Sequence, residues 1–130
     1  MPFPLPESEL EKTEMEIGAV FPSSYRLAMI QSNGGSVEAD DDVWELFPIR
    51  DQSTKKHMSR TCNDVLYETK QAQGWKTFHE NAYALANNGT GDLLVMFRKG
   101  KEFENEIFHW GHEDGSLILV ANDLSELKRV

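Results

Sequence analysis

Apolar positions recur at helical intervals in the first part of the chain and at strand intervals in the last. Leu10, Glu14 and Ile17 follow one another at helical spacing, after a PFPLP lead-in whose prolines cannot sit inside a helix. Ser8-x-x-Glu11 has the form of a capping box and Gly18 that of a C-terminal stop. Glu7, Glu9 and Glu11 stand near the positive end of that helix dipole, where acids are favoured. A short helix, acidic on its outer side, is therefore expected. In PSSYRLAMIQSNGG, residues 22–35, Tyr25, Ala28 and Met29 share one face, with Ile30 beside it. Pro22 suits the start of a helix, and Asn33-Gly34-Gly35 tolerates the left-handed backbone that ends one.

Residues 36–42 (SVEADDD) are polar and predict a loop. VWELFPI (43–49) is strand-prone, with Pro48 marking an edge strand or a strand end. Cys62, Val65, Leu66 and Thr69 repeat at helical spacing, which predicts a helix from about Arg60 to Gln71. Gly74-Trp75 then opens a connector toward Phe78 and Tyr83. DLLVMFRK (92–99), ENEIFHWG (104–111) and SLILVAN (116–122) are strands by composition. Gly100-Lys101 and Asp114-Gly115 supply hairpin turns between them. A short helix over Asp123–Arg129, with Asp123 or Ser125 near its cap, closes the chain. Helices, then antiparallel strands, then a helix make the class α+β.

At 130 residues the chain reads as a single domain, 1–130, large enough to bury a core. No stretch reaches the ~20 apolar residues of a membrane-spanning helix. MPFPLPESELEK lacks the basic and apolar regions of a signal peptide, and a lone Cys62 allows no internal disulfide. The cytoplasm is the expected location.

The net charge of −9 is unevenly placed. Residues 1–51 carry 11 acids against 3 bases, residues 52–80 carry 3 against 5, and residues 81–130 carry 8 against 5. Such a field repels nucleic acids and anionic membranes and attracts basic partners, although excess acid also serves solubility alone.

Candidate chemistry is sparse. NNGTGD (87–92) lacks the lysine and Ser/Thr of a Walker loop and precedes a strand, so a tight turn explains it. His109-Trp110-Gly111-His112 with Glu113 and Asp114 offers ligand types without the convergent spacing of a zinc site, and His57 and His79 have no pairing motif. Cys62 reads as a small buried residue rather than a nucleophile. Neither G-x-S-x-G nor H-E-x-x-H occurs. No enzyme, cofactor or metal is expected. Glu38, Asp40, Asp41, Asp42 and Glu45 do not follow the EF-hand ligand order. They read as a solvated loop or as an acidic contact patch for a protein partner. Trp44 is either the aromatic anchor of that patch or a core residue.

Three stretches together resemble the SUKH superfamily, which includes the yeast Smi/Knr-type cell-wall regulators. Glu14, Gly18, Pro22, Tyr25 and Asn33-Gly34-Gly35 match its first motif, with Phe21 where leucine is commoner. Residues 86–96 (ANNGTGDLLVM) are similar to its Gly-x-Gly-Asp entry into a central strand. IFHWGHE, followed by VANDLSEL, is similar to its W-x-H strand and closing helix, with Leu124 in place of phenylalanine. The resemblance implies an α+β binding scaffold without catalysis. It also implies an immunity protein whose partner is the C-terminal domain of a cognate toxin, plausibly a basic nuclease. The alternative is a regulatory interaction module with a different partner. The matching positions are turns and core, so the resemblance transfers no binding residues.

Overall fold

The computed structural model describes residues 2–130. Four helices are present: α1 (Glu7–Ile17), α2 (Ser23–Gln31), α3 (Lys55–Arg60) and α4 (Val65–Ala72). The strands are β1 (Ser36–Ala39), β2 (Asp42–Leu46), β3 (Ala82–Asn87), β4 (Leu93–Lys99), β5 (Glu102–Phe103), β6 (Ile107–Trp110), β7 (Leu117–Ala121) and β8 (Lys128–Arg129). They form one sheet in the order β7-β6-β4-β3-β2-β1-β8, with β5 paired to β4 alone. Every ladder is antiparallel. The α+β class and its largely antiparallel sheet are as the residue pattern predicts.

Side chains alternate across a strand, so a sheet buried on both faces needs apolar residues at successive positions. The run Leu94, Val95, Met96 in β4 supplies them, each at most 1% exposed. Leu94 and Met96 join the larger core with Leu10, Phe21, Tyr25 and Met29 of the N-terminal region. Val95 turns the other way, into a smaller cluster with Ala72, Phe78, Ala82 and Trp110.

The N-terminal corner is built around one carboxylate. Glu14 is buried; it accepts the Phe21 N–H at 2.8 Å and the Arg26 Nε–H at 3.0 Å. Gly18 ends α1 with φ +82, its N–H donating to Glu14 O. Asn33 is not left-handed, unlike Gly34 and Gly35. Its side chain instead accepts from Ile49 N–H and donates to Ile49 C=O, both at 2.8 Å.

Several expectations need correction. Ser8 caps nothing: α1 starts at Glu7 with Pro6 before it, so Ser8 is already helical. Glu9 and Glu14 are buried, so α1 is not acidic on its outer side alone. Residues 36–42 are β1 and a hairpin, not a loop. Val37 and Ala39 point inward while Glu38 between them faces out. Asp40 and Asp41, at φ +51 and +59, make the two-residue turn, which needs left-handed backbone at both places. Of the two expectations for Pro48, the strand end holds, since β2 stops at Leu46, and the edge strand does not, since β2 is interior. The expected helix at 60–71 starts only at Val65, as α4, with α3 a separate unexpected helix before it, leaving Cys62 exposed in the turn between them rather than buried. The connector opened by Gly74-Trp75 ends at β3, an unexpected strand that begins at Ala82 and includes Tyr83. The closing helix shrinks to one 3-10 turn, Leu124–Glu126, capped by Asp123, and β8 then pairs with β1.

Candidate protein-interaction surface

The acids of the first 51 residues separate into two groups. Four of the five acids on α1 are paired, Glu9 with Lys12, Glu7 and Glu14 with Arg26, and Glu16 with Arg50, whereas Glu11 is exposed and makes no ion pair among the described residues. These three cations are all the lysines and arginines that residues 1–51 contain. Most of the unpaired charge of this segment lies on the β1–β2 hairpin, where Glu38, Asp40, Asp41, Asp42 and Glu45 are all exposed and β8 sets Lys128 opposite Glu38. Among the described residues, Glu38, Asp41, Asp42 and Glu45 make no ion pair; Asp42 accepts two neutral hydrogen bonds, from Val43 N–H at 2.8 Å and Asn88 Nδ2 at 3.0 Å.

Trp44 belongs to the core rather than to this surface. It is 0% exposed, and its Nε1–H donates to Ala39 C=O at 2.8 Å. The reason is register: Trp44 opposes Val37, and both point inward. It cannot anchor a partner, but it fastens the hairpin that displays the acids.

Asp40 is held from across the sheet. Two strands, β3 and β4, lie between β2 and β6, a separation of roughly 14 Å in a flat sheet. Yet His109 of β6 lies 4.9 Å from the Trp44 ring, edge to face, and 2.6 Å from Asp40 Oδ2 through Nδ1. The sheet therefore curls, bringing the hairpin over β6. His109 Nε2 contacts Asp92 Oδ2 at 2.7 Å. An imidazole donates from both nitrogens only when it is protonated. Burial pushes the His109 pKa down, but hydrogen bonds to Asp92 and Asp40 outweigh it and raise the value. Burial likewise pushes Asp92 up; the contacts from His109 and His112 prevail and lower it to about 2.

Asp92 Oδ1 accepts the His112 main-chain N–H at 3.0 Å and contacts its Nδ1 at 2.6 Å. Gly91 makes room for that ring. A side chain there would meet His112 at 3.0 Å, and φ is +104. The two sequence motifs, Gly-x-Gly-Asp and W-x-H, thus meet through Asp92 and His112. His109 and His112 are committed to carboxylates, and no group of three or more His, Cys, Asp or Glu side chains among the described residues is arranged to hold a metal. In NNGTGD, Asn87 and Asn88 accept the N–H groups of Gly89 and Thr90, closing the turn internally.

The family model of the SMI1 / KNR4 family (SUKH-1) matches residues 4–129. The chain belongs to this family. Comparisons with curated proteins and with solved structures gave no match. For this SUKH-1 member, the matched residues are explained as architecture. Glu14 closes the α1–α2 corner, Asn33 ties α2 to the chain after β2, and Asp92 with His112 joins β4 to the end of β6. No helix among the described residues is long and apolar enough to cross a membrane.

Sequence reasoning picked out the acidic cluster, as a loop, but missed the hairpin that carries it and its support. Asp92 and His109 each stood in a quoted motif, and the doubled carboxylate around one histidine has no signal in linear spacing. A second exposed acidic pair, Glu113 and Asp114, lies beyond His112 and shares its cleft.

Proposed function

We propose that this protein is a cytoplasmic immunity protein that binds a cognate toxin domain and neutralises it by covering a basic surface, plausibly that of a nuclease. Family membership supports a binding scaffold. The observation that carries the electrostatic part is the segregation of charge: Lys12, Arg26 and Arg50 all pair with acids of α1, and the hairpin presents Glu38, Asp41, Asp42 and Glu45 without an ion pair among the described residues. A nuclease must keep cationic groups for phosphates, so a fixed acidic surface competes for them. Long-range attraction also speeds encounter, which suits inhibition of a lethal enzyme. Trp44 and His109 hold the hairpin in place, so little ordering entropy opposes binding.

The test is co-expression with candidate toxin domains, beginning with any encoded by a neighbouring gene, scored by survival and by pull-down. Association should slow by about tenfold or more between low and high salt. The variant Glu38→Gln, Asp41→Asn, Asp42→Asn, Glu45→Gln keeps shape and removes charge, and it should associate slowly even at low salt. Rapid, salt-insensitive binding by that variant would reject the role of the hairpin. Cell death despite co-expression would reject immunity itself.

A further inference from the structure

Residues 102–127 contain seven carboxylates and no lysine or arginine. Within them lies β7, one edge of the sheet. Leu117, Ile118 and Leu119 are 44%, 51% and 50% exposed. Neighbouring side chains on a strand point to opposite faces, so exposure of all three leaves both faces of this edge uncovered. Its inner side pairs with β6, placing Leu117, Ile118 and Leu119 opposite Trp110, His109 and Phe108. Its outer N–H and C=O groups have no backbone partner among the described residues. The register shift between Ile107 and Phe108 puts a bulge at Val120, so the regular edge ends at Leu119.

Proteins usually protect such an edge with lysine, proline or a covering segment. Neither lysine nor proline occurs between Ser116 and Ala121. Acids stand at both ends instead. Glu113 and Asp114 precede the strand and Asp123 follows it, while Glu106 adjoins Ile107, the partner of Ala121. On the Ile118 side, an open cleft of about 430 Å³ is lined by Asp92, His109, His112, Glu113 and Asp114. A second copy added antiparallel would set Glu113 and Asp114 against the other copy's Asp123 and Glu106, acid on acid. A strand bounded by cations meets opposite charge at each end.

We propose that β7 is a docking edge, extended by a short apolar strand of a protein partner that carries lysine or arginine at both ends of that strand. The proposal rests on the reading above in that the strand belongs to the same basic partner. Main-chain hydrogen bonds would supply the attachment, and the flanking acids the selection. The hairpin and β7 are then two parts of one acidic surface, joined by the Asp40–His109–Asp92 chain.

The probe is a peptide of alternating valine and threonine with two lysines at each end, titrated into the isotope-labelled full chain. Saturable amide shifts are expected at Leu117, Ile118 and Leu119. A peptide ending in glutamates, and one N-methylated at alternate amides, should each bind about tenfold more weakly or worse. The exposed substitution Leu119→Lys should abolish the response while leaving the remaining amide spectrum unchanged. Silent β7 amides, or equal binding of the N-methylated peptide, would overturn strand addition. A dimer in sedimentation that Leu119→Lys dissolves would overturn the choice of occupant. With the toxin domain itself, normal binding by Leu119→Lys defeats this inference and spares the proposed function. No toxin binding by the unmodified chain defeats the proposed function, and the peptide result still decides the chemistry of the edge.

Discussion

His109 of β6 meets Asp40 at the tip of the β1–β2 hairpin, Nδ1 to Oδ2 at 2.6 Å, although two strands separate theirs in the sheet. The contact fixes how far the sheet curls, and it sets a buried aromatic, Trp44, and an exposed acid, Asp40, on the two sides of one imidazole. A flexible acidic loop would lose entropy on binding. Here the hairpin is pinned beforehand by a charged hydrogen bond.

That contact predicts a pH dependence. The His109 pKa is raised above its ordinary 6.5 in the folded protein, so protonation favours the fold. Its stabilisation is fully present below about 6.5 and is lost as pH rises through the folded value. Proton NMR titration should place His109 above 6.5, and Asp40→Asn should move it down. Hydrogen exchange at the hairpin amides should accelerate, beyond the intrinsic base dependence, on the alkaline side. A His109 that titrates below 6.5 would contradict the pairing.

Asp92 has the opposite sign. Its pKa falls from 3.8 to about 2 on folding, so its contribution is present above 3.8 and disappears as pH falls through about 2. Asp92→Asn removes the charge that His109 and His112 both address. It should cost roughly 2–3 kcal/mol in urea unfolding at neutral pH, with a smaller penalty in acid. An equal cost at both pH values would mean that shape, not charge, is what Asp92 supplies.

Asn33 satisfies both main-chain groups of Ile49, a residue that is 0% exposed. Asn33→Ala leaves a buried N–H and a buried C=O without partners, at about 1–3 kcal/mol each. Denaturant unfolding should therefore show a loss of roughly 2–5 kcal/mol. A loss below about 1 kcal/mol would show that the chain after β2 relaxes to reach other partners.

Tyr25 presents the reverse case. Its hydroxyl is buried and has no hydrogen-bond partner among the described residues, and burial pushes its pKa upward. Tyr25→Phe removes that orphaned group and keeps the ring packed near Phe21, 5.0 Å away. Stability should be unchanged or rise by up to about 1 kcal/mol, whereas Tyr25→Ala should cost about 3–5 kcal/mol. A thermal melt distinguishes the two, and a marked loss in the phenylalanine variant would count against the orphan assignment.

The legible parts of this molecule are those whose cause is local. Tyr25, Ala28 and Met29 repeat with the helical period. β4, β6 and β7 alternate or run apolar, and Gly18 and the Gly34-Gly35 pair occupy left-handed backbone. The fold class followed from the order of these elements, whereas the motif residues Glu14, Asn33, Asp92 and His112 act through contacts with distant segments. β1 was hidden because only Val37 and Ala39 in SVEADDD are apolar, and a two-residue turn of aspartates looks like a polar loop.

The surface was legible as charge but not as geometry. Counting acids identified residues 1–51 as the negative segment, and only packing showed that four of the α1 acids are paired while Glu38, Asp41, Asp42 and Glu45 of the hairpin are not. Trp44 stood next to acids in sequence, and cross-strand register turned it into the core. Asp40, Asp92 and His109 are up to 69 positions apart, so no window of sequence joins them. Sequence alone determined the periods, the turns and the net charge, because those depend on near neighbours. The curl of the sheet decided which acids are paired, which are free and which edge lies open, because distances across strands are set by the whole fold.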